Sequence, residues 1–130
     1  MHQQLLDWDV DLVVLAGFMR ILSAKFVQAW EGKMVNIHPS LLPCYKGMHT
    51  HQRVLNTGDT LHGCTVHFVT PELDQGPIIE QDVIRVDHSD APEDLVRYGK
   101  DIEKAVLARG LRYHLEDRVL VHGNKTVVFR

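Results

Sequence analysis

The sequence predicts an α/β fold, with a doubly wound, mostly parallel Rossmann-like sheet and a β-hairpin at the carboxyl end. Short apolar runs rich in β-branched residues alternate with segments of helical periodicity, which is the pattern of βαβ units. The last two apolar runs flank Gly123-Asn124, a region typical of a hairpin turn. The chain has 130 residues, of which 45% are hydrophobic, so we expect residues 1–130 to form a single domain.

The first strand is expected at Asp11 to Gly17, because DLVVLAG is a continuous apolar run ended by glycine. Such a run is typical of a strand buried on both faces of a parallel sheet. A short helix should follow over Ala24 to Glu31, since Ser23 suits the N-cap and Gly32 suits the end. The next strand is expected over Lys33 to His38.

The middle of the chain combines two loops with a helix and two strands. Pro39 to Met48 should be irregular, because its two prolines lack a backbone donor. A helix is expected over His49 to Thr57. The strictly alternating run His62 to Thr70 indicates a strand, and Pro71 to Pro77 has the composition of a turn before a further strand at Ile78 to Val86. The two faces of the alternating strand would consist of Cys64, Val66 and Phe68 and of Thr65, His67 and Val69.

The longest predicted helix starts at Pro92 and runs to about Leu115. Its apolar residues recur near helical spacing, and only Gly99 and Gly110 oppose helix formation. The two β-rich runs within Arg118 to Phe129 then complete the chain as the predicted hairpin.

Charge and composition limit the partners of this chain. The net charge is −3 and the pI is about 6.3, so the basic surface typical of nucleic-acid-binding proteins is missing. No apolar run is long enough to span a bilayer, and no run of like charge indicates a membrane surface. Two cysteines without a signal peptide indicate reduced thiols. These features predict a cytoplasmic protein that acts on a small soluble molecule.

The stretch from Met34 to His51 carries the candidate chemistry. Asn36 and His38 are two residues apart on a predicted strand, so their side chains leave on the same face at its carboxyl end. Open α/β sheets bind ligands at this place. An amide can hydrogen-bond the oxygen of a carbonyl under attack, and a histidine can relay a proton. Asp74, from a second loop, could orient the histidine or hold a water.

The chain offers no nucleophile for a covalent mechanism. No serine or cysteine lies in a nucleophile elbow, and Cys44 is not followed directly by a helix N-terminus that would favour its thiolate. Direct attack by an amine or a water on the carbonyl carbon is therefore favoured.

The same residues resemble a known family. The runs AGFMRIL at Ala16 to Leu22, NIHPSLLP at Asn36 to Pro43, GMHTHQ at Gly47 to Gln52, and HFVT, ELD and GP across His67 to Pro77 resemble glycinamide ribonucleotide formyltransferase, a folate-dependent enzyme of purine biosynthesis. Methionyl-tRNA formyltransferases share Asn-x-His and Ser-Leu-Leu-Pro but resemble the GMHTHQ run less. The resemblance implies formyl transfer from 10-formyltetrahydrofolate to the amine of glycinamide ribonucleotide, without a metal ion.

The second half of the chain resembles a sister family. The runs GPIIEQDVIRVDH, GKDIEKAVLARGL and DRVLVHGNKTVVF are similar to 10-formyltetrahydrofolate deformylase, which gives the formyl group to water and releases formate and tetrahydrofolate. Both families use the same Asn, His and Asp. The catalytic assignment is therefore shared, and the acceptor stays open between an amine and water.

The resemblance implies a role for each matching residue. The catalytic residues would be Asn36, His38 and Asp74. Folate would be bound by Met19, Arg20, Ile21, Leu22, Val69, Thr70, Glu72 and Asp74. The acceptor substrate would contact Met19, Pro39, Lys100 and Glu103.

The beginning of the chain departs from both families. Each has a βαβ portion before the strand expected at Asp11 to Gly17, and in the transferase its glycine-rich turn binds the substrate phosphate at a helix N-terminus. No such turn occurs in this sequence. We therefore expect an N-terminally truncated domain with weak or absent transferase turnover, whose uncovered sheet edge invites pairing with a second copy. The third hypothesis is a domain that binds folate without catalysis.

Other polar residues have simpler interpretations. His49 and His51 form a His-x-His pair, which is weak evidence for a metal site without a third ligand. His67 is expected to be a structural histidine. Lys100 and Glu103 lie three residues apart on one helix face and could form no more than a solvated ion pair.

Overall fold

The computed structural model describes residues 12–16, 23–71 and 75–129 of the chain. The described elements follow the predicted order, and the long helix has the predicted bounds. The elements are strand β1 (Val13–Ala16), helix α1 (Ala24–Ala29), β2 (Met34–His38), α2 (Thr50–Thr57), β3 (Leu61–Phe68), β4 (Ile78–Arg85), α3 (Pro92–Leu115), β5 (Val119–His122) and β6 (Lys125–Val128).

Strands β1 to β4 form one sheet in the order β1-β2-β3-β4. The first pair is parallel, with Leu15 opposite Asn36, whereas β3 is antiparallel to both of its neighbours. The α/β class is confirmed, but the described sheet is mixed instead of mostly parallel. β3 and β4 are joined by residues 69–77 without a described helix, and strands joined in this way run antiparallel because parallel strands need a longer crossover.

One face of the sheet packs against α3 and forms the core. Its buried residues are Val35, Ile37, Cys64, Val66, Phe68, Ile79 and Val106. As predicted, Cys64, Val66 and Phe68 share this face. Burying such side chains removes apolar surface from water, which is the main favourable contribution to folding.

Gly110 lies where α3 packs tightly against Val66 of β3, which explains a glycine in the interior of this helix. A Cβ atom at this position would lie 3.1 Å from Val66 Cγ1, which is tighter than ordinary van der Waals contact. The glycine therefore lets the helix approach β3 closely, at the cost of about 1 kcal/mol that glycine adds in a helix interior.

The predicted hairpin is confirmed at the carboxyl end. β5 and β6 pair antiparallel with His122 opposite Lys125, so Gly123 and Asn124 form the two-residue turn. Gly123 has a φ of 61°, which suits glycine at a hairpin turn. Thr126 Oγ1 donates to the carbonyl of Ile78 and joins the hairpin to β4. None of the helices described in residues 12–16, 23–71 and 75–129 is long and apolar enough to cross a membrane.

Candidate active site

The sheet face opposite α3 carries a row of polar residues. In the register of β2 and β3, Asn36 lies opposite His67 and His38 lies opposite Thr65. Side chains two residues apart in a strand share a face, so these four lie together. They are placed there by the same alternation that sends the neighbouring apolar residues into the core.

Asn36 presents an unsatisfied atom on this face. Its Oδ1 is buried and has no hydrogen-bond partner among the described residues. A buried polar atom without a partner costs about 1–3 kcal/mol, and such atoms in folded proteins are rare enough to need an explanation. A ligand that donates a hydrogen bond to this amide would remove the cost.

His38 is held by the loop that follows its own strand. The side chain is buried, with 6% of its surface exposed. Its Nε2 lies 2.9 Å from the main-chain carbonyl oxygen of Tyr45. The imidazole is therefore fixed in orientation before any substrate arrives, as general acid-base catalysis requires.

A buried hydroxyl network holds this loop against the sheet. Thr65 Oγ1 donates to the Ser40 carbonyl at 2.7 Å, and it accepts from the Leu42 amide at 3.1 Å and from Gln81 Nε2 at 2.9 Å. One donor and two lone pairs are all that a hydroxyl can offer. Ser40 Oγ in turn donates to the Cys44 carbonyl at 2.6 Å. Residues 40–44 are thus tied to β3 and β4.

Tyr45 ends this network in an unusual backbone conformation. Its φ is 56°, in the left-handed region that non-glycine residues rarely adopt. Its hydroxyl donates to the carboxylate of Asp59, which raises the pKa of the phenol. The guanidinium of Arg53 lies 5.4 Å from the ring centroid. These contacts hold the tyrosine in place.

The structure reveals a histidine pair that the sequence did not indicate. His51 Nδ1 lies 2.9 Å from His62 Nε2, with the ring planes nearly perpendicular. In the sequence, His51 stands out only as part of His-x-His with His49, which is exposed at the start of α2. His62 stands at the beginning of the predicted strand, and its complete burial is the property that the alternating pattern did not reveal. No group of three or more candidate metal ligands occurs among the described residues.

Glu103 lies near His51 of this pair. A Cβ atom at Gly99 would be 3.7 Å from Glu103 Oε1 and 3.8 Å from His51 Cε1, so both side chains border the same glycine. Burial raises the pKa of the half-buried Glu103, an effect that Lys100 opposes. Lys100 itself is exposed one turn earlier on α3.

Three of the remaining predicted residues lie at the edges of this face. The Val69 amide donates to the Met34 carbonyl at 2.9 Å and continues the pairing of β2 with β3 towards Thr70. The Pro39 carbonyl accepts from Thr50 Oγ1 at 2.6 Å, which joins the loop to α2. Six predicted site residues lie outside the described part of the chain, namely Met19, Arg20, Ile21, Leu22, Glu72 and Asp74.

A cleft of about 480 Å³ opens between the loop after His38 and the hairpin. Leu42 and Pro43 line one wall, Gly76 and Ile78 line a second, and residues 124–126 of the hairpin line a third. The cleft therefore borders the loop that follows His38 and the loop between β3 and β4.

Comparison with known proteins identifies the relatives of this arrangement. A family model described as formyl transferase matches residues 1–111. The formyltetrahydrofolate deformylase of Mycobacterium tuberculosis is 53% identical over 126 residues, which are 97% of this chain and 41% of that protein. The chain thus spans about two fifths of that relative's length.

Two solved structures share the fold. A formyltetrahydrofolate deformylase from Pseudomonas syringae has a TM-score of 0.94 and 52% identity, and the match covers 98% of this chain and 43% of that one. Glycinamide ribonucleotide transformylase 1 from Symbiobacterium toebii has a TM-score of 0.96 and 36% identity, and the match covers 99% of this chain and 61% of that one. The two backbones are equally similar, whereas the sequence is closer to the deformylase.

Proposed function

Because this chain belongs to the formyl transferase family, we propose that it supplies the catalytic part of an enzyme that hydrolyses 10-formyltetrahydrofolate to formate and tetrahydrofolate. The observation that carries this proposal is the higher sequence identity to deformylases than to transformylases, at equal structural similarity. The residues of the polar sheet face supply the chemistry, and water is the acceptor.

Asn36 would act on the formyl group. Its amide nitrogen donates to the formyl oxygen, which becomes an oxyanion when water attacks the carbon. Its buried, unpartnered Oδ1 is available to accept a hydrogen bond from the attacking water. The same amide then holds both reacting groups, which lowers the entropic cost of bringing them together.

His38 would move the proton. Water oxygen bonds to the formyl carbon and the C=O electron pair moves to oxygen, while His38 takes one proton from the water. When the oxyanion collapses, the bond from carbon to N10 breaks, its electron pair goes to N10, and His38 returns the proton there. Formic acid loses its remaining proton to solvent, so the products are formate, tetrahydrofolate and one proton.

The other predicted residues would bind and orient the substrates. We propose that Asp74 orients His38 or the water, and that the segments 19–22 and 69–74 bind the folate. These roles are supported by the resemblance of both segments to the family and by the position of Val69, which follows β3 directly beside the start of β2.

Transfer of the formyl group to the amine of glycinamide ribonucleotide is the second candidate. It is supported by the half-buried Glu103, whose pKa is raised by burial and which would contact the acceptor together with Lys100 and Pro39. In this reaction the amine replaces water as the attacking group, and the proton still passes to N10.

The experiment that separates these candidates measures tetrahydrofolate formation from 10-formyltetrahydrofolate, with and without glycinamide ribonucleotide. Formation without the amine supports hydrolysis, and formation that requires the amine supports transfer. The full-length M. tuberculosis relative serves as the positive control. If the relative turns over while this chain only binds folate, with binding followed by fluorescence, the chain is a non-catalytic folate-binding domain and both proposals fail.

A further inference from the structure

The contact between His38 and Tyr45 determines which ring nitrogen can act. His38 Nε2 lies 2.9 Å from the Tyr45 carbonyl oxygen. A main-chain carbonyl only accepts hydrogen bonds, so Nε2 must carry a hydrogen in this contact. We infer that neutral His38 is held as the Nε2–H tautomer, and that Nδ1 is the nitrogen that takes up and returns the proton during the reaction.

The Tyr45 carbonyl is held in place by a backbone conformation that costs energy. The left-handed backbone of Tyr45, with φ of 56°, costs about 1–2 kcal/mol for a residue with a Cβ. Such strain persists where the surrounding structure imposes it, and it is concentrated at functional sites. Here the hydroxyl contact with Asp59 and the stacking of Arg53 at 5.4 Å anchor the side chain, so the carbonyl keeps its direction towards the imidazole.

Ser40 is the positioning residue for this contact. It is fully buried, and its hydroxyl lies 2.6 Å from the Cys44 carbonyl and 3.3 Å from the Tyr45 carbonyl. The hydroxyl thus fixes the peptide group that precedes Tyr45. Thr65, which lies opposite His38 in the sheet, supports Ser40 from the other side through its bond to the Ser40 carbonyl at 2.7 Å.

This inference deepens the proposed function and rests on it only for the direction of proton movement. When water attacks, its proton goes to Nδ1 and the ring becomes an imidazolium that still donates from Nε2 to Tyr45. The carbonyl oxygen then faces a full positive charge, and hydrogen bonds to charged groups are stronger than neutral ones. Nδ1 returns its proton to N10, and the Nε2 proton never leaves the ring. The tautomer therefore stabilises the charged state that forms in the reaction.

The tautomer can be observed without any activity. Protein labelled with ¹⁵N-histidine is studied by two-bond ¹H–¹⁵N correlation between about pH 5 and 8, and the His38 signals are assigned by through-bond correlation to the backbone. In the neutral form we expect a protonated Nε2 and an unprotonated Nδ1. A protonated Nδ1 in the neutral form would overturn the inference, whatever the enzyme assay shows.

The positioning role is tested with Ser40→Ala and Tyr45→Phe. Both should lower kcat by about tenfold to a hundredfold, which is the effect expected of a small misplacement of a catalytic group, with little change in the KM for folate. Both should also increase the population of the Nδ1–H tautomer. Tyr98→Phe is the matched control, because Tyr98 also places its hydroxyl near a carboxylate, that of Asp90 at 3.4 Å. Wild-type tautomer populations and kcat in both variants would refute the role of Ser40 and Tyr45.

Discussion

His51 Nδ1 lies 2.9 Å from His62 Nε2, so α2 and β3 are joined by a hydrogen bond between two imidazoles. One ring must donate and the other must accept, which requires that at least one of them is neutral. His62 is 2% exposed, and burial, followed by the nearby His51, lowers its pKa to about 4, against an opposing effect of Asp59. Burial also lowers the pKa of His51. The contact therefore depends on pH.

Acid should weaken the fold through this pair. An unfolded histidine titrates near pH 6.5, whereas folded His62 titrates at about 4. Between these values the unfolded chain binds a proton that the folded chain does not, so the free energy of unfolding should fall as the pH is lowered through this window. His62 should have no such effect above about pH 7, and the full decrease caused by its titration is about 3 kcal/mol. Urea unfolding at several pH values measures the decrease.

The variant His62→Gln isolates this contribution. Glutamine does not titrate, so the dependence of unfolding free energy on pH should become flatter in the acid window. His122→Gln is the control, because His122 is an exposed residue of the hairpin. Equal pH slopes for His62→Gln and the wild type would show that the pair does not control acid stability.

Gly76 is required by the approach of two backbone segments. A Cβ atom at this position would lie 1.7 Å from the Phe68 carbonyl oxygen, far inside van der Waals contact, and neither partner is a flexible side chain. Gly76→Ala should therefore displace residues 75–77 from the end of β3 and destabilise the protein by more than about 2 kcal/mol, as overpacking of a rigid site does. The loss is measured as a shift of the urea midpoint.

Gly123→Ala provides the matched comparison. Gly123 has a φ of 61° and no atom within 4 Å of an added Cβ, so this variant tests only the backbone conformation, which costs about 1–2 kcal/mol. Folate binding should be weakened by Gly76→Ala and unaffected by Gly123→Ala. An equal loss of stability in the two variants would contradict the steric argument.

The sequence predicts local elements well because their causes are local. The capping serine before α1 accepts from the Phe26 amide at 3.2 Å, and Pro92 starts α3 as expected. The direction of strand pairing is not local. The alternation in β3 predicts its two faces correctly, but no residue in the strand indicates that it runs antiparallel to β2.

The candidate site shows the same difference between features with local causes and features that depend on distant contacts. Asn36 and His38 could be proposed as site residues from the sequence because two residues of one strand carry the amide and the imidazole. The contacts that hold the surrounding loop in position could not be predicted, because they join positions far apart in the sequence, such as Thr65 with Ser40. The pairing of His51 with His62 depends on how α2 packs against β3, which no motif in either segment specifies.

Arg109 joins α3 to β4 through a buried carboxylate. Its Nε lies 3.4 Å from Glu80 Oε2 and its Nη2 lies 3.2 Å from Asp82 Oδ2, and Glu80 is only 7% exposed. Arg109→Gln removes the cation that faces this carboxylate, and we expect a loss of about 1–3 kcal/mol in the free energy of unfolding.

The exposed pair of Arg112 and Glu116 is the internal reference for this loss. It has a shorter contact of 2.9 Å between Arg112 Nε and Glu116 Oε2, but exposed ion pairs at this helical spacing contribute only about 0.3–0.5 kcal/mol. Arg112→Gln should therefore have a small effect in the same urea titration. If the two variants lose equal stability, the burial of Glu80 does not determine how much the Arg109 ion pair contributes to the free energy of unfolding.

Asn36 allows a catalytic role to be separated from a structural one. Its buried Oδ1 makes no hydrogen bond among the described residues, so Asn36→Ala removes an unsatisfied atom and should leave the free energy of unfolding unchanged or slightly higher. Turnover should nevertheless fall by about 10²–10³, the effect of removing one donor from an oxyanion site. Activity and urea unfolding are measured on the same preparation.

Asn56→Ala is the control variant for Asn36→Ala. Asn56 is an exposed asparagine on α2 whose Oδ1 accepts from Gln52 Nε2 at 2.8 Å, so this variant loses a hydrogen bond and should keep full turnover. The two asparagines should thus show opposite results, with activity lost at Asn36 and retained at Asn56. A structural role for Asn36 requires instead that turnover and stability decline together, because the inactive fraction would then be the unfolded fraction. Loss of turnover at unchanged stability places the amide in the reaction itself.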